Sequence, residues 1–356
     1  LPHTPRPRMI ANFAITYRCN SRCRTCGIWA MEDRSHDELT LTDVRRFFEG
    51  EKEFLSEVKT IQLTGGEPYL RSDIAGIVEA VWRGIPEAFI WIATNGLLPE
   101  IIEHRTSEIL DRVDRGGVGV TVSLDGVGQT HEDQRGVENA YPRAFETMCR
   151  LSRLGETHPE MRLSIGMTIT PQNQHQIKQV MRVAEYHGAD FTVRPVNISE
   201  VYYRNRGFGG KWDLRVLSAG LSAVADHSTR RKGPLRAAPV ISYLRRIPDY
   251  VSTGSRNLPC SAGSASLFID PYGAVYPCLF VDSRIGNIRE KPLAETWGSK
   301  EAEDVRKRIS EGCCPGCLVE CETMRDIRRD RVGLATAVLR GLASECGNRL
   351  GVNQSS

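Results

Sequence analysis

Long apolar runs are missing from this 356-residue chain: no uninterrupted stretch approaches the ~18 residues that a membrane-crossing helix needs. Its first residues, Leu1 to Arg8, are rich in proline and arginine and lack the apolar centre of a secretory signal, so the expectation is a cytoplasmic protein with no membrane partner. Lysine is scarce, with eight among 47 basic residues, and the other 39 are arginines. Set against 44 acidic residues they leave a net charge of only +3 and no strongly basic tract, so a nucleic-acid partner has no electrostatic footprint. Internal repeats and low-complexity segments are also missing. The chain does have 40% hydrophobic residues, enough for a buried core, which excludes wholesale disorder.

Cysteine is plentiful, and its distribution is uneven. The eleven cysteines fall as Cys19, Cys23 and Cys26; Cys149; Cys260 and Cys278; Cys313, Cys314, Cys317 and Cys321; and Cys346. A reducing compartment argues against disulfides, so the two clustered groups read as two separate metal sites.

Short apolar runs alternate with amphipathic stretches from Ile10 to about Pro195. Strands are expected at Ile10–Thr16, Val58–Thr64, Ala88–Thr94, Gly117–Asp125, Met161–Thr170 and Ala189–Arg194, with helices near Thr42–Leu55, Asp73–Arg83, Pro99–Val113, Pro142–Leu154 and Gln174–His187. Six strands interleaved with five helices predict an α/β fold with a parallel sheet, three-quarters of an eight-stranded barrel. Beyond it come a glycine loop at Gly207–Gly210, a helix near Leu214–His227 and a Pro/Arg-rich connection. A β-hairpin is then expected over Ala265–Ile269 and Ala274–Pro277, followed by short helices at Leu293–Trp297 and Glu301–Ser310. After the four-cysteine knot a charged helix should end near Ala343, and the tail Gly351–Ser356 should fray. The expected divisions are 9–210, a helical linker 211–257, and 258–348.

Cys19-x3-Cys23-x2-Cys26 directly follows the first strand, at the mouth of the barrel, where catalytic groups collect. Three thiolates are one short of a closed structural zinc site, but they suit a four-iron cluster with one iron left open. At this point the sequence resembles the radical S-adenosylmethionine (SAM) enzymes, whose hallmark is this loop on a partial (β/α)6 TIM-like barrel. The resemblance implies that the open iron is chelated by SAM, which one electron cleaves to a 5′-deoxyadenosyl radical. It also implies an external one-electron reductant such as flavodoxin or ferredoxin. Gly65, Gly66 and Glu67 match the family's GGE motif after strand two. Asn95, after Thr94, together with Ser123, Asp125 and Arg135, resembles positions beside the SAM methionine and ribose. Where many members carry an aromatic residue before the third cysteine this chain has Thr25, which leaves adenine to Ile28, Trp29, backbone, Met167 or Val193.

Cys260-x12-Gly273-x4-Cys278 resembles the opening of the SPASM or twitch extension, which holds auxiliary clusters. Its second block is contracted to Cys314-x2-Cys317-x3-Cys321. The resemblance therefore implies one auxiliary 4Fe–4S cluster drawn from Cys260, Cys278, Cys314, Cys317 and Cys321, with Cys313 spare and a structural zinc as the alternative.

The implied chemistry is hydrogen-atom abstraction, ending in epimerisation or dehydrogenation by an oxidoreductase-type or epimerase-type enzyme. Peptide-modifying members often carry an N-terminal recognition domain, whereas the first strand here starts near Ile10. Sulfatase-maturing members have Asp where this chain has Leu279. These departures favour a small polar substrate, a sugar or aminocyclitol of natural-product biosynthesis. The alternatives are a peptide-modifying maturase and a non-catalytic iron–sulfur or zinc protein. Cys149, Cys313 and Cys346 are spare thiols for hydrogen donation, and the Glu200–Arg206 loop, with Tyr202, Tyr203 and Arg204, is a candidate substrate rim. No acid or base stands out.

Overall fold

A computed structural model describes residues 9–113, 117–200, 202–314 and 316–328, with 334 and 338. The expected helix ending near Ala343, the frayed tail and Cys346 lie outside the described residues.

The sheet contains strands β1 (Met9–Thr16), β2 (Val58–Gly65), β3 (Phe89–Thr94), β4 (Gly117–Ser123), β5 (Arg162–Ile169) and β6 (Asp190–Pro195), joined in parallel in sequence order. The helices between them are α1 (Leu41–Gly50), α2 (Lys52–Leu55), α3 (Ile74–Gly84), α4 (Pro99–Leu110), α5 (Gln129–Arg135), α6 (Ala140–Thr157) and α7 (Ile177–Tyr186). This is the expected open, partial barrel. Its helix-facing layer is dry: Leu63, Ile77, Val78, Ile90, Ile92, Val120, Val122 and Ile165 are fully buried. Thr60, Gln62, Thr64, Thr121, Ser164, Thr168 and Thr192 instead point into an inner cavity. The strands therefore send apolar residues to the helices and mostly polar ones to the lumen, as the period of two dictates, with Ile10, Trp91 and Ala93 as apolar exceptions in the lumen.

Two helices, α8 (Leu214–Lys232) and α9 (Pro234–Thr253), follow and pack on one another. The Pro/Arg-rich connection is thus a 20-residue helix that holds Pro239 and Pro248 within it. Its buried stripe, Ala237, Ala238, Ile241, Tyr243, Leu244 and Ile247, recurs at helical spacing, and burying that stripe offsets the hydrogen bonds lost at the prolines. Helix α5 was also unexpected; its C-cap is Gly136, at φ +63°.

The remaining elements are β7 (Ser266–Ile269), β8 (Ala274–Tyr276), β9 (Gly286–Asn287), α10 (Leu293–Trp297), α11 (Lys300–Ser310) and α12 (Glu320–Ile327). The expected hairpin forms between β7 and β8. It does not stand apart, because β7 pairs in parallel with β1, Ile10 opposite Ser266 through Phe13 opposite Ile269, and extends the barrel sheet to nine strands. Among the described residues no helix is long and apolar enough to cross a membrane.

Candidate active site

The loop after β1 brings Cys19, Cys23 and Cys26 to the C-terminal end of one cavity of about 740 Å³ that runs along the lumen face of the strands. Gly65, Gly66, Asn95, Ser123, Asp125 and Arg135 line the same cavity, so the structure brings these predicted residues together.

The glycines are required by the chain itself. Gly65 has φ +127°, and a Cβ there would sit 2.0 Å from the Thr16 carbonyl oxygen. A Cβ on Gly66 would meet the Arg18 carbonyl oxygen at 2.0 Å. The end of β2 is thus laid flat against the start of the cysteine loop, with Gly66 N–H donating to Thr16 O and Glu67 N–H to Arg18 O, both at 2.8 Å.

Glu67 is placed differently from its neighbours: it is fully buried and lies off the cavity wall. Its carboxylate accepts from Asn95 N–H at 2.7 Å, Thr94 Oγ1–H at 2.9 Å and Tyr69 N–H at 3.2 Å, tying the end of β2 to that of β3. Burial outweighs these bonds and raises its carboxyl to about 7. Asn95, so fixed, donates from Nδ2 to Asn20 Oδ1 at 2.7 Å inside the cysteine loop.

Arg135 ends α5 and bridges two features of the site. Its Nη2 lies 2.9 Å from Asp125 Oδ2 and its Nη1 lies 3.6 Å from Cys23 Sγ, while its buried Nε–H has no partner. Asp125 also accepts from Thr168 N–H at 2.8 Å, and its own N–H donates to His131 Nδ1 at 3.0 Å. Burial drives the His131 imidazole well below its ordinary range, so it is neutral and carries its proton on Nε2. Helix α5 holds the cysteine loop through backbone as well: Arg22 N–H donates to Arg135 O at 2.9 Å and Arg24 N–H to Gln134 O at 3.0 Å.

Tyr202 and Tyr203 face the cavity, and their segment braces it while Glu200, Arg204 and Arg206 stay exposed. The Tyr202 hydroxyl lies 2.6 Å from Thr64 Oγ1, Gly27 N–H donates to Tyr203 O at 2.6 Å, and Asn205 Nδ2 donates to Thr25 O at 3.0 Å. Composition alone gave no signal of this. Among the adenine candidates, Ile28 and Trp29 line the cavity with Thr25, whereas Met167 and Val193 are buried core.

Three thiols opening on one cavity, with donors already aimed at sulfur, are a soft donor set that fits an iron–sulfur cluster. Ser21 N–H approaches Cys19 Sγ at 3.5 Å and Ser21 Oγ lies 3.1 Å from Cys23 Sγ. Burial raises the Cys19 and Cys26 thiols to about 12, so binding a cationic cluster there releases protons.

The second cysteine group ranges from buried to exposed. Cys278 and Cys317 are in the core beside half-buried Cys260, close enough for thiolate charges at Cys260 and Cys278 each to interact with Cys317. Ala262 N–H points at Cys260 Sγ and Phe280 N–H at Cys278 Sγ, at 3.5 and 3.4 Å. Cys321, in the first turn of α12, interacts with Cys317 and also lines the main cavity beside Glu320. Cys314 is half-buried and Cys313 exposed on the preceding loop. Cys149 sits on α6, away from the cavity wall.

Comparison with known proteins agrees with this geometry. The radical SAM superfamily model matches residues 13–184, and an iron–sulfur cluster-binding domain model, SPASM, matches residues 260–322. The chain belongs to the radical SAM superfamily and carries a SPASM iron–sulfur domain. Its cofactors are accordingly SAM, the 4Fe–4S cluster that binds it, and auxiliary iron–sulfur. Pre-heme d1 synthase of Dinoroseobacter shibae is 25% identical over 345 residues, 88% of this chain and 80% of that protein. PqqA peptide cyclase of Bradyrhizobium diazoefficiens is 25% identical over 304 residues, 81% of this chain and 72% of that one. SAM-bound SuiB of Streptococcus suis shares the fold, with a TM-score of 0.63 at 20% identity over 84% of this chain and 68% of that one.

Proposed function

We propose that this radical SAM enzyme abstracts a hydrogen atom from a peptide or tetrapyrrole side chain and completes an oxidative transformation of it. The observation that carries the reading is the single cavity whose wall includes Cys19, Cys23 and Cys26 at one part and Cys321 at another. When bound, the cluster and SAM supply the electron and the 5′-deoxyadenosyl group that make hydrogen abstraction possible.

In this reading Cys19, Cys23 and Cys26 hold the SAM-binding cluster, and Cys260, Cys278, Cys317 and Cys321 hold the auxiliary one. Gly65, Gly66, Asn95, Ser123 and Asp125 present the SAM-facing wall. Arg135 keeps Asp125 in place and offers its unpaired Nε–H to an anionic group, and Glu67 acts from beneath by positioning Asn95. An auxiliary site reaching the cavity through Cys321 favours dehydrogenation or bond formation over epimerisation, because it gives the substrate-derived electron a nearby destination.

The relatives support a larger substrate than the sugar or aminocyclitol expected from sequence: their names point to tetrapyrroles and to a peptide. About 740 Å³ is also ample for such a side chain and the SAM-derived groups together. The test offers iron-coproporphyrin III and, separately, a PqqA peptide to the anaerobically reconstituted protein with SAM and dithionite. Formation of 5′-deoxyadenosine with loss of two mass units, or of one carboxyl group, from either probe supports the reading. Turnover of aminocyclitols or sugars, with both probes left intact, overturns it.

A further inference from the structure

The charged groups of the cavity are not equally satisfied. Arg135 is paired with Asp125, and Arg325 is tied down by Ser261 Oγ at 2.8 Å, Ala265 O at 2.6 Å and Glu322 at 3.0 Å. Lys59 donates to Ser56 O at 2.9 Å, at the opposite, N-terminal end of its strand. Arg328, just past the end of α12, is exposed to water. Arg194 differs from all of these. It stands near the end of β6, opposite Thr168 in the register, and its half-buried side chain reaches the lumen. Among the described residues its guanidinium has neither a hydrogen bond nor an ion pair.

The groups whose charges bear on it are Tyr203, Asp125, Glu320 and Tyr243, and its own charge bears on the Cys321 thiol, whose lone pairs are committed to metal in the reading above. Asp125 is held by Arg135, and Glu320, on α12, stands beyond ion-pair distance. The tyrosines are neutral because burial raises both hydroxyls. A guanidinium remains charged, and keeping it largely out of water with no acceptor is costly unless a ligand supplies one. Its planar fork matches a carboxylate in two parallel hydrogen bonds.

We propose that Arg194 is the substrate anchor of this cavity and that it grips a side-chain carboxylate. This rests on the reading above and narrows it: the substrate carries a free propionate-type or glutamate-type acid close to the carbon that loses hydrogen. Arg194 lies on the strand next to β5, whose Thr168 contacts Asp125, so an acid held there is presented toward the SAM-facing wall. Arg194 is a positioning residue with no part in bond breaking.

The test needs no knowledge of the full substrate. Glutarate and its uncharged analogue glutaramide are titrated against the reconstituted, SAM-loaded enzyme by saturation-transfer NMR, with iron content and circular dichroism as checks on folding. Glutarate should bind the wild type at least tenfold more tightly than glutaramide. Arg194→Gln should erase that preference, and Arg194→Lys, which keeps the charge without the fork, should retain part of it. An undiminished preference in both variants, or no preference in the wild type, overturns the anchor. If glutarate binds through Arg194 while neither coproporphyrin nor peptide is converted, the anchor stands and the substrate reading fails. If a probe is converted with unchanged kcat and KM by the Arg194 variants, the opposite holds.

Discussion

Asn197 Oδ1 accepts from the backbone N–H of Leu318 at 2.7 Å, joining the end of the barrel to the loop between Cys317 and Cys321. The same oxygen accepts from the Tyr250 hydroxyl at 3.1 Å, and the Asn197 Nδ2 donates to Pro195 O at 2.7 Å. One buried amide therefore sets where the auxiliary cysteines sit relative to β6 and α9. Asn197→Ala leaves a buried N–H and a hydroxyl unpaired, at a cost of about 2–3 kcal/mol. The auxiliary iron should then be extracted by a chelator several times faster than in the wild type, with the SAM-binding cluster unaffected. Iron release followed by absorbance checks this.

Gly66→Ala tests the contact between β2 and the cysteine loop. The added methyl meets backbone oxygen and carbon of Arg18 at 2.0 and 2.6 Å, and neither can rotate away. The loop must shift, so the first cluster should fail to assemble while the second survives. Iron should fall from roughly eight to roughly four atoms per chain, and SAM cleavage should fall at least a hundredfold. Full iron content with normal cleavage would contradict the close-packing argument.

The cysteine assignments separate cleanly by substitution. Cys317→Ser and Cys321→Ser should each cost the auxiliary cluster, whereas Cys313→Ser, at an exposed thiol, and Cys149→Ala should leave iron content unchanged. Cys149→Ala should also leave product formation unchanged, because its helix lies outside the cavity wall. Iron and sulfide analysis of the four proteins reads this directly.

Glu67 gives the fold a pH dependence of definite sign. Its carboxyl is raised by burial to about 7 from an ordinary 4.5, so the folded chain binds the extra proton between those values. Its contribution is fully present below about 4.5 and is lost as pH rises through about 7, a swing on the order of 3 kcal/mol. Glu67→Gln removes the swing. The difference in Tm between wild type and variant should therefore move in the variant's favour from pH 5 to pH 8, and a carboxylic-acid infrared band titrating near 7 should vanish in the variant.

Much of the fold was legible because lumen and core residues alternate along the six strands and the cysteine loop follows the first of them. Other features were hidden for physical reasons. Pro239 and Pro248 mask α9, because its stability comes from the face it buries and not from local propensity. Helix α5 is a seven-residue polar segment whose value lies in clamping Arg22 and Arg24, a tertiary role with no periodic signature. The pairing of β7 with β1 joins residues over 250 positions apart. The residues lining the site could be named because cofactor chemistry restricts them to certain types. Glu67 was expected at the cofactor from its place in the motif, and only the packing shows its carboxylate buried off the cavity wall and bonded to Asn95 N–H.

Electron paramagnetic resonance of the dithionite-reduced, reconstituted enzyme, with and without SAM, reads the open iron itself. Two overlapping cluster signals are expected, of which one shifts when SAM is added. In a Cys19→Ala, Cys23→Ala, Cys26→Ala protein only the unresponsive signal should remain. A wild-type spectrum that SAM leaves unchanged, or a SAM-responsive signal that persists in the triple variant, would contradict the assignment of these three cysteines to the SAM-binding cluster.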